Sequence, residues 1–550
     1  VTDPQRLLAA MTLEQKIGQL IIHLVYGAAA DQPDDRNTAL FGVATPAEVV
    51  AKYHLGGVVY FAWAGNTEDP QQIGRLSNGL QEAARCVGLP PLIIATDQET
   101  GRVARMGPPA TQFPGAMALA AAHSCDAVRQ AYAITGRELR AVGINTDFAP
   151  VADVNVNQAN PVIGIRSFSS EPDIVADHVA AAVAGLQLDA GISAVAKHFP
   201  GHGDTATDSH HRLPVITHSL IEWESLDAPP FRAAIRSGVD MIMTGHLALP
   251  DVEPSGDPAT LSRRVLTGLL RQDLDYPGVI ITDSLRMDAV RQAYGDGEVA
   301  VRALEAGVDI LLEPADPTAA VAAITDAVHT GRLTEQRIDA AVRRILDLKQ
   351  RRGFFDVPPT DPAEIDRVVG SIEHRDRAAA ITDATITLAR DDQDLIPLAN
   401  RPALVVGADE SVLRRLAHGL ASSGVPTTEL ITGTDPDRGL IEQARRQARS
   451  TFQTVVVLSA GWRSQRQRML VRALREAAPR VVLAAITEPY DAGMVAGGGT
   501  MLLTYSATPG AVDALVRVLL GRVPPTGRLP LTVGEIPDHP LFPYGAGVVR

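Results

Sequence analysis

"LIIATD", residues 92 to 97, places four apolar residues and a threonine in a row, with no polar alternation, and then stops at an aspartate. A run that is apolar on both faces reads as a strand covered on both sides, the habit of parallel sheets; an antiparallel strand with one wet face alternates. Outward from this run the same form recurs as "LIIHLV" (20 to 25), "GVVYFA" (57 to 62), "INTDFAPV" (144 to 151), "ISAVAK" (192 to 197), "DMIMTG" (240 to 245), "GVIIT" (278 to 282) and "DILLE" (309 to 313). Helix-like segments separate the runs, so residues 1 to 350 alternate strand and helix, and eight such units predict a (β/α)8 barrel. Alternation alone also suits an open doubly wound sheet. The residues that follow the runs separate the two: Asp97, Asp153, Lys197 with His198, His246 and Asp283 all stand at C-terminal ends. In a barrel those ends converge on one face and line one pocket, whereas an open sheet strings them along an edge.

The chain changes character at "GFFDVPPTDPAEID" (353 to 366), a Pro-containing linker, followed by a helix-like stretch near 373 to 384. Beyond it "PALVVGAD", "FQTVVVLSAGW", "RVVLAAITEP" and "TMLLTYSA" read as strands between amphipathic helices such as "SVLRRLAHGLASSG" (411 to 424). The expected organisation is a barrel domain over 1–352, a linker and helical connection over 353–389, and a three-layer α/β sandwich domain over 390–550. "VVGADE" and "AGGGT" complete neither a dinucleotide fingerprint nor a phosphate-binding loop, and read as glycines closing tight turns.

Composition narrows the partners. With 50 Lys and Arg against 64 Asp and Glu the formal charge is -14, which disfavours nucleic acid and anionic membrane surfaces and suits a small, neutral ligand. No stretch reaches transmembrane length. Two cysteines, Cys86 and Cys125, make no disulfide framework, and with no leader-like start the expectation is a cytoplasmic protein, although a chain beginning at Val1 is also compatible with a removed signal peptide.

The densest chemistry lies in "KHFPGHGDTATDSHH" (197 to 211). A metal site drawn from His198, Asp204, Asp208 and His246 is one reading; Pro200 and the glycines, however, break any helix that would align His198 with His202. A phosphate loop fits less well, because no helix N-terminus follows the glycines directly. A loop presenting a proton donor needs fewer assumptions: a histidine, here His210, is the side chain whose ordinary pKa suits proton exchange near neutrality, and Asp208, two residues earlier, is a candidate to orient its imidazole.

This stretch, with "DQETGRVARM" (97 to 106), "FAPVADVNVNQANPVIGIRSFSSEP" (148 to 172), "TGHLALP" (244 to 250) and "GVIITDSLRMDAV" (278 to 290), resembles the glycoside hydrolases of family 3, in their β-N-acetylglucosaminidase (NagZ-like) branch, over residues 10 to 350. The resemblance implies a retaining exo-glycosidase that releases terminal β-linked N-acetylglucosamine, with Asp283 as nucleophile, His210 as acid/base assisted by Asp208, and Asp97, Arg105, Arg166, Lys197 and His198 gripping the sugar. It implies neither metal nor organic cofactor, and a carbohydrate partner such as an N-acetylglucosaminide, muropeptide or chitooligosaccharide. Lys197 and Arg166 are expected to keep Asp283 ionised. Two alternatives stay open: a phosphorylase that passes the glycosyl group to inorganic phosphate, and an inactive sugar-binding protein. Two departures from the family pattern stand out. Thr100 occupies a glycine position after Glu99, and a second domain is present, whose Glu488 and Asp491 in "TEPYDAG" are further candidates to reach the pocket.

Overall fold

The computed structural model describes residues 3–208, 212–291, 293–398, 401–450, 454–495, 498–534 and 541–548. All eight apolar runs become strands: β1 (Ile21–Leu24), β2 (Gly57–Tyr60), β3 (Ile93–Thr96), β4 (Thr146–Asp147), β5 (Ser193–Phe199), β6 (Met241–Thr244), β7 (Val279–Thr282) and β8 (Leu311–Leu312). They pair in parallel and in chain order, β8 returns to β1 through Ile21 opposite Leu311, and a bridge between Ile281 and Ile310 joins β7 to the approach of β8. The ring is therefore a (β/α)8 barrel, as the run pattern predicts. Every residue of β1, β2, β3, β5, β6 and β7 is buried, which is why these strands carry no polar alternation.

The outer helices are written by caps and one-sided apolar spacing. The helix Pro70–Cys86 starts at Asp69, whose side chain accepts from Gln72 N, has proline in its first turn, and buries Ile73, Leu76, Leu80 and Ala84 on one face. In β5 the pairing slips: Lys197 lies opposite Met243 and Phe199 opposite Thr244, so His198 is an extra residue. Such a bulge re-aims side chains, and here two successive residues both serve the pocket end of the strand.

The second region is a six-stranded sheet of β9 (Thr387–Asp391), β10 (Ala403–Gly407), β11 (Thr427–Ile431), β12 (Thr454–Ser459), β13 (Val481–Ala485) and β14 (Thr500–Leu503), in the order β9-β14-β13-β12-β10-β11. It is parallel except for β9, which runs antiparallel to β14, and an apolar layer covers each face. Two of its strands, β9 and β11, are absent from the apolar-run reading. β11 is an edge strand with a mixed, largely exposed sequence, "TTELI", which leaves no apolar run to read. One covering layer includes Met117, Ala118 and Ala121 from the barrel helix Ala116–Ala121, so the sandwich rests directly on the barrel. No helix among the described residues is long and apolar enough to cross a membrane.

Candidate active site

At the end of β3 the chain turns into a short hairpin, Gln98–Thr100 against Val103–Ala104, which delivers two carboxylates to one place. Lys197 Nζ, buried at the end of β5, stands 2.7 Å from Asp97 Oδ1 and 2.7 Å from Glu99 Oε1. Glu99 also takes both arms of Arg166, Nε at 2.8 Å and Nη2 at 2.7 Å, a fork that fixes the guanidinium plane. Arg105 reaches Asp97 at 3.7 Å. Burial pushes Glu99 up, but Arg166 and Lys197 outweigh it and hold the carboxyl well below the usual range. Burial likewise depresses the Lys197 ammonium, and Asp97 with Glu99 raise it past its ordinary value. The structure thus brings Asp97, Arg105, Arg166 and Lys197 together, and adds Glu99, which the sequence reading names without giving it a role. Its neighbour Thr100 has φ 73°, the left-handed conformation a glycine adopts freely, and Gly101 follows at φ 65° with Gly115 Cα 2.6 Å from where a Cβ would stand.

His198 is oriented from below. Its Nδ1 lies 2.7 Å from Asp153 Oδ2, while Asp153 Oδ1 accepts the amides of His198 at 3.1 Å and His202 at 2.8 Å. Burial raises Asp153, yet His198 and its other partners bring it below the ordinary carboxylate value. An ionised Asp153 accepting from Nδ1 fixes the orientation of the His198 ring. Asp283, half-buried at the end of β7, accepts the amide of Ser284 at 2.8 Å. Burial pushes its carboxyl up; His198 first, then His246, the Ser284 amide and Lys197 bring the net below the usual value. Here the expectation needs correcting: Lys197 contributes last, and the histidines flanking Asp283 do more, because Arg166 and Lys197 are committed to Glu99 and Asp97. His246 is fixed by Thr260 Oγ1 at 2.8 Å from Nδ1 and by the Ser284 carbonyl, 2.9 Å from Nε2.

The loop after β5 is firmly based. A Cβ on Gly203 would lie 1.7 Å from the Val154 carbonyl oxygen, so only glycine fits. Buried Asn160 donates to the carbonyl oxygens of His202 (2.8 Å) and Gly203 (3.2 Å), tying this loop to the one that carries Arg166. Further on, His218 is clasped between Asp204 (2.9 Å) and Asp227 (2.7 Å), and Asp227 foremost raises it to about 9. Burial lowers His202 to about 4. Asp208 is half-buried and its carbonyl accepts the Arg212 amide at 3.1 Å; His210 lies outside the described residues. Of the residues in the metal reading, Asp204 is taken by His218, and both ring nitrogens of His246 are taken by Thr260 and the Ser284 carbonyl. Among the described residues no three His, Cys, Asp or Glu side chains gather as a metal-holding group.

The sandwich meets the site at its rim. Arg463 donates to the carbonyl oxygens of Gln158 (3.0 Å), Ala159 (3.3 Å) and Asn160 (3.2 Å), and Asn155 Nδ2 donates to the Tyr490 hydroxyl at 3.0 Å. Glu488 accepts from the Trp462 indole and stands 3.5 Å from Arg463, in an interdomain cleft of about 620 Å³ shared with Gly101, Arg102, Pro161 and Ile165. Asp491 is fully buried behind it, accepting the Gly461 amide at 3.3 Å, and burial raises it to about 7.

Residues 12–348 match the family model described as the glycosyl hydrolase family 3 N-terminal domain. The chain is 34% identical over 425 residues to a β-hexosaminidase A of Pseudoalteromonas piscicida, covering 72% of this chain and 70% of that protein. A β-N-acetylglucosaminidase/β-glucosidase of Cellulomonas fimi is 28% identical over 518 residues, covering 84% and 91% of the two chains. Among solved structures, a glycoside hydrolase family 3 β-N-acetylglucosaminidase from Paenibacillus sp. str. FPU-7 superposes with a TM-score of 0.86 at 38% identity, over 96% of this chain and 100% of that one.

Proposed function

The chain belongs to glycosyl hydrolase family 3, and from that premise we propose that it is a retaining exo-β-N-acetylglucosaminidase of the β-N-acetylhexosaminidase type. The observation that carries the mechanism is Asp283: a carboxylate at a barrel-strand end, favoured in its charged form by two histidines and a backbone amide. An ionised carboxylate so placed attacks the anomeric carbon as the glycosidic bond breaks through an oxocarbenium-like transition state, giving a glycosyl-enzyme ester. The leaving oxygen takes its proton from His210, oriented by Asp208. The imidazole then takes a proton from water, whose oxygen displaces Asp283 and restores the starting configuration. Asp97, Arg105, Arg166, Lys197 and His198 hold the sugar hydroxyls, and Glu99 holds the cations in place. The names of the 34% and 38% identical relatives support N-acetylglucosamine as the sugar. Muropeptide fragments, as in cell-wall recycling, and chitooligosaccharides both fit as sources.

The test is turnover of aryl β-N-acetylglucosaminides with leaving groups of graded pKa, assayed with and without phosphate. Hydrolysis to free N-acetylglucosamine is expected in both buffers, and a sugar 1-phosphate as the product would transfer the reading to a phosphorylase. His210→Ala should steepen the dependence of the glycosylation step on leaving-group pKa, because a nitrophenolate departs without much protonation and a sugar alkoxide does not. Slopes parallel to those of the wild type would remove His210 from the proton-donor role.

A further inference from the structure

Glu313 follows β8 directly, as Asp97 follows β3 and Asp283 follows β7, yet no step above uses it. It is 4% exposed and its amide donates to the Ile22 carbonyl at 2.8 Å, so its backbone is locked into the barrel rim. Its φ is 50°, a left-handed conformation that is strained for a residue with a Cβ and persists where surrounding structure imposes it, often at ligand sites. Ser284, the residue after the candidate nucleophile, and Arg286, Asp97 and Asp283 lie near enough for their groups to act on its carboxyl. Burial foremost raises its carboxyl to about 7; Ser284 and Arg286 oppose the shift, and Asp97 and Asp283 add to it.

The circular order of the strands gives this position a meaning. Asp97 on β3 and Asp283 on β7 stand on opposite sides of the ring, and Arg166, Lys197 and His198 enter the pocket from the β4 and β5 side between them. β8 lies in the other arc. We propose that Glu313 is a specificity-determining residue of the sugar pocket, hydrogen-bonding a ring hydroxyl on the sugar edge that faces β8, opposite the edge held by Arg166, Lys197 and His198. A carboxylic acid there both donates to and accepts from a hydroxyl. A site built to pair with a hydroxyl rejects the analogue lacking it, since its own buried polar atoms are then left unpaired. The inference rests on the glycosidase reading.

The experiment compares wild type, Glu313→Met, which keeps the volume, and Glu313→Gln, which keeps a donor and an acceptor. Each is assayed for kcat/KM on an aryl β-N-acetylglucosaminide and on its 3-, 4- and 6-deoxy analogues. Wild type should lose about tenfold or more on one analogue. Glu313→Met should lose a comparable factor on the parent substrate and nothing further on that analogue, while Glu313→Gln restores the parent rate to within a few-fold and restores the discrimination. Loss of the wild-type preference in neither variant, or an equal loss of Glu313→Met on all four substrates, overturns the assignment. Absence of turnover by wild type would instead defeat the glycosidase reading, so the two failures are distinct.

Discussion

Glu99 carries more of the strand-end cluster than its place in the sequence suggests. It is nearly fully buried, it neutralises Lys197 and Arg166 together, and among the described residues no other carboxylate forms an ion pair with Arg166. Glu99→Ala would leave two buried cations with one carboxylate, Asp97, between them; breaking a buried pair in this way costs about 3–5 kcal/mol. The expected outcome is a large fall in melting temperature together with a raised KM, measured by thermal unfolding and steady-state kinetics. Thr100 makes the opposite prediction. A β-branched residue in the left-handed region costs about 1–2 kcal/mol, and glycine gives back about 1 kcal/mol of that in chain entropy. Thr100→Gly should therefore be neutral to stabilising by up to about 1 kcal/mol, and a destabilised variant would show that the threonine side chain is needed in the hairpin. The strand-end rule that finds Asp97 and Asp283 in the sequence also reaches Glu313, at the end of "DILLE". Glu99 is not legible in this way, because only the folded hairpin turns it back toward Lys197.

At the scale of elements, the loop after β5 is held by a clasp rather than hanging free. His218 bridges Asp204 on that loop to Asp227, at the head of the helix Ala228–Arg236, and the bridge needs the imidazolium. Its proton is bound more tightly in the folded than in the unfolded chain, with about 9 against an ordinary 6.5. The clasp therefore contributes fully below pH 6.5 and is lost as pH rises through 9, so stability falls across that window. With solvent screening the loss should be no more than roughly 2 kcal/mol. Melting temperature measured from pH 6 to 9.5 should fall in wild type and fall less in His218→Gln; identical slopes would contradict the clasp. The barrel strands were readable because burial on both faces removes polar residues from the run, and the loop motif because it crowds titratable groups. The clasp was not, since its three members are spread over 24 residues in a stretch without periodicity.

Across the whole molecule, the sandwich stands on the barrel through the helix Ala116–Ala121 and through the carbonyl groups that Arg463 gathers from residues 158–160. The same segment ends in Asn160, which supports the loop after β5, so the second region frames the pocket from outside. Glu488 belongs to this frame, paired with Trp462 and Arg463. Glu488→Gln should leave kcat within about tenfold of wild type, a barrier change near 1.4 kcal/mol; a loss comparable with that of Asp283→Ala would move the acid/base into the sandwich. The central claim is the covalent role of Asp283, and the most direct measurement is mass spectrometry of the enzyme after reaction with 5-fluoro-N-acetylglucosaminyl fluoride, which retains the acetamide and slows release of the glycosyl-enzyme. The account predicts one added glycosyl unit on the peptide that contains Asp283, absent in Asp283→Ala; a label on any other carboxylate, or turnover with inversion and no adduct, would contradict it.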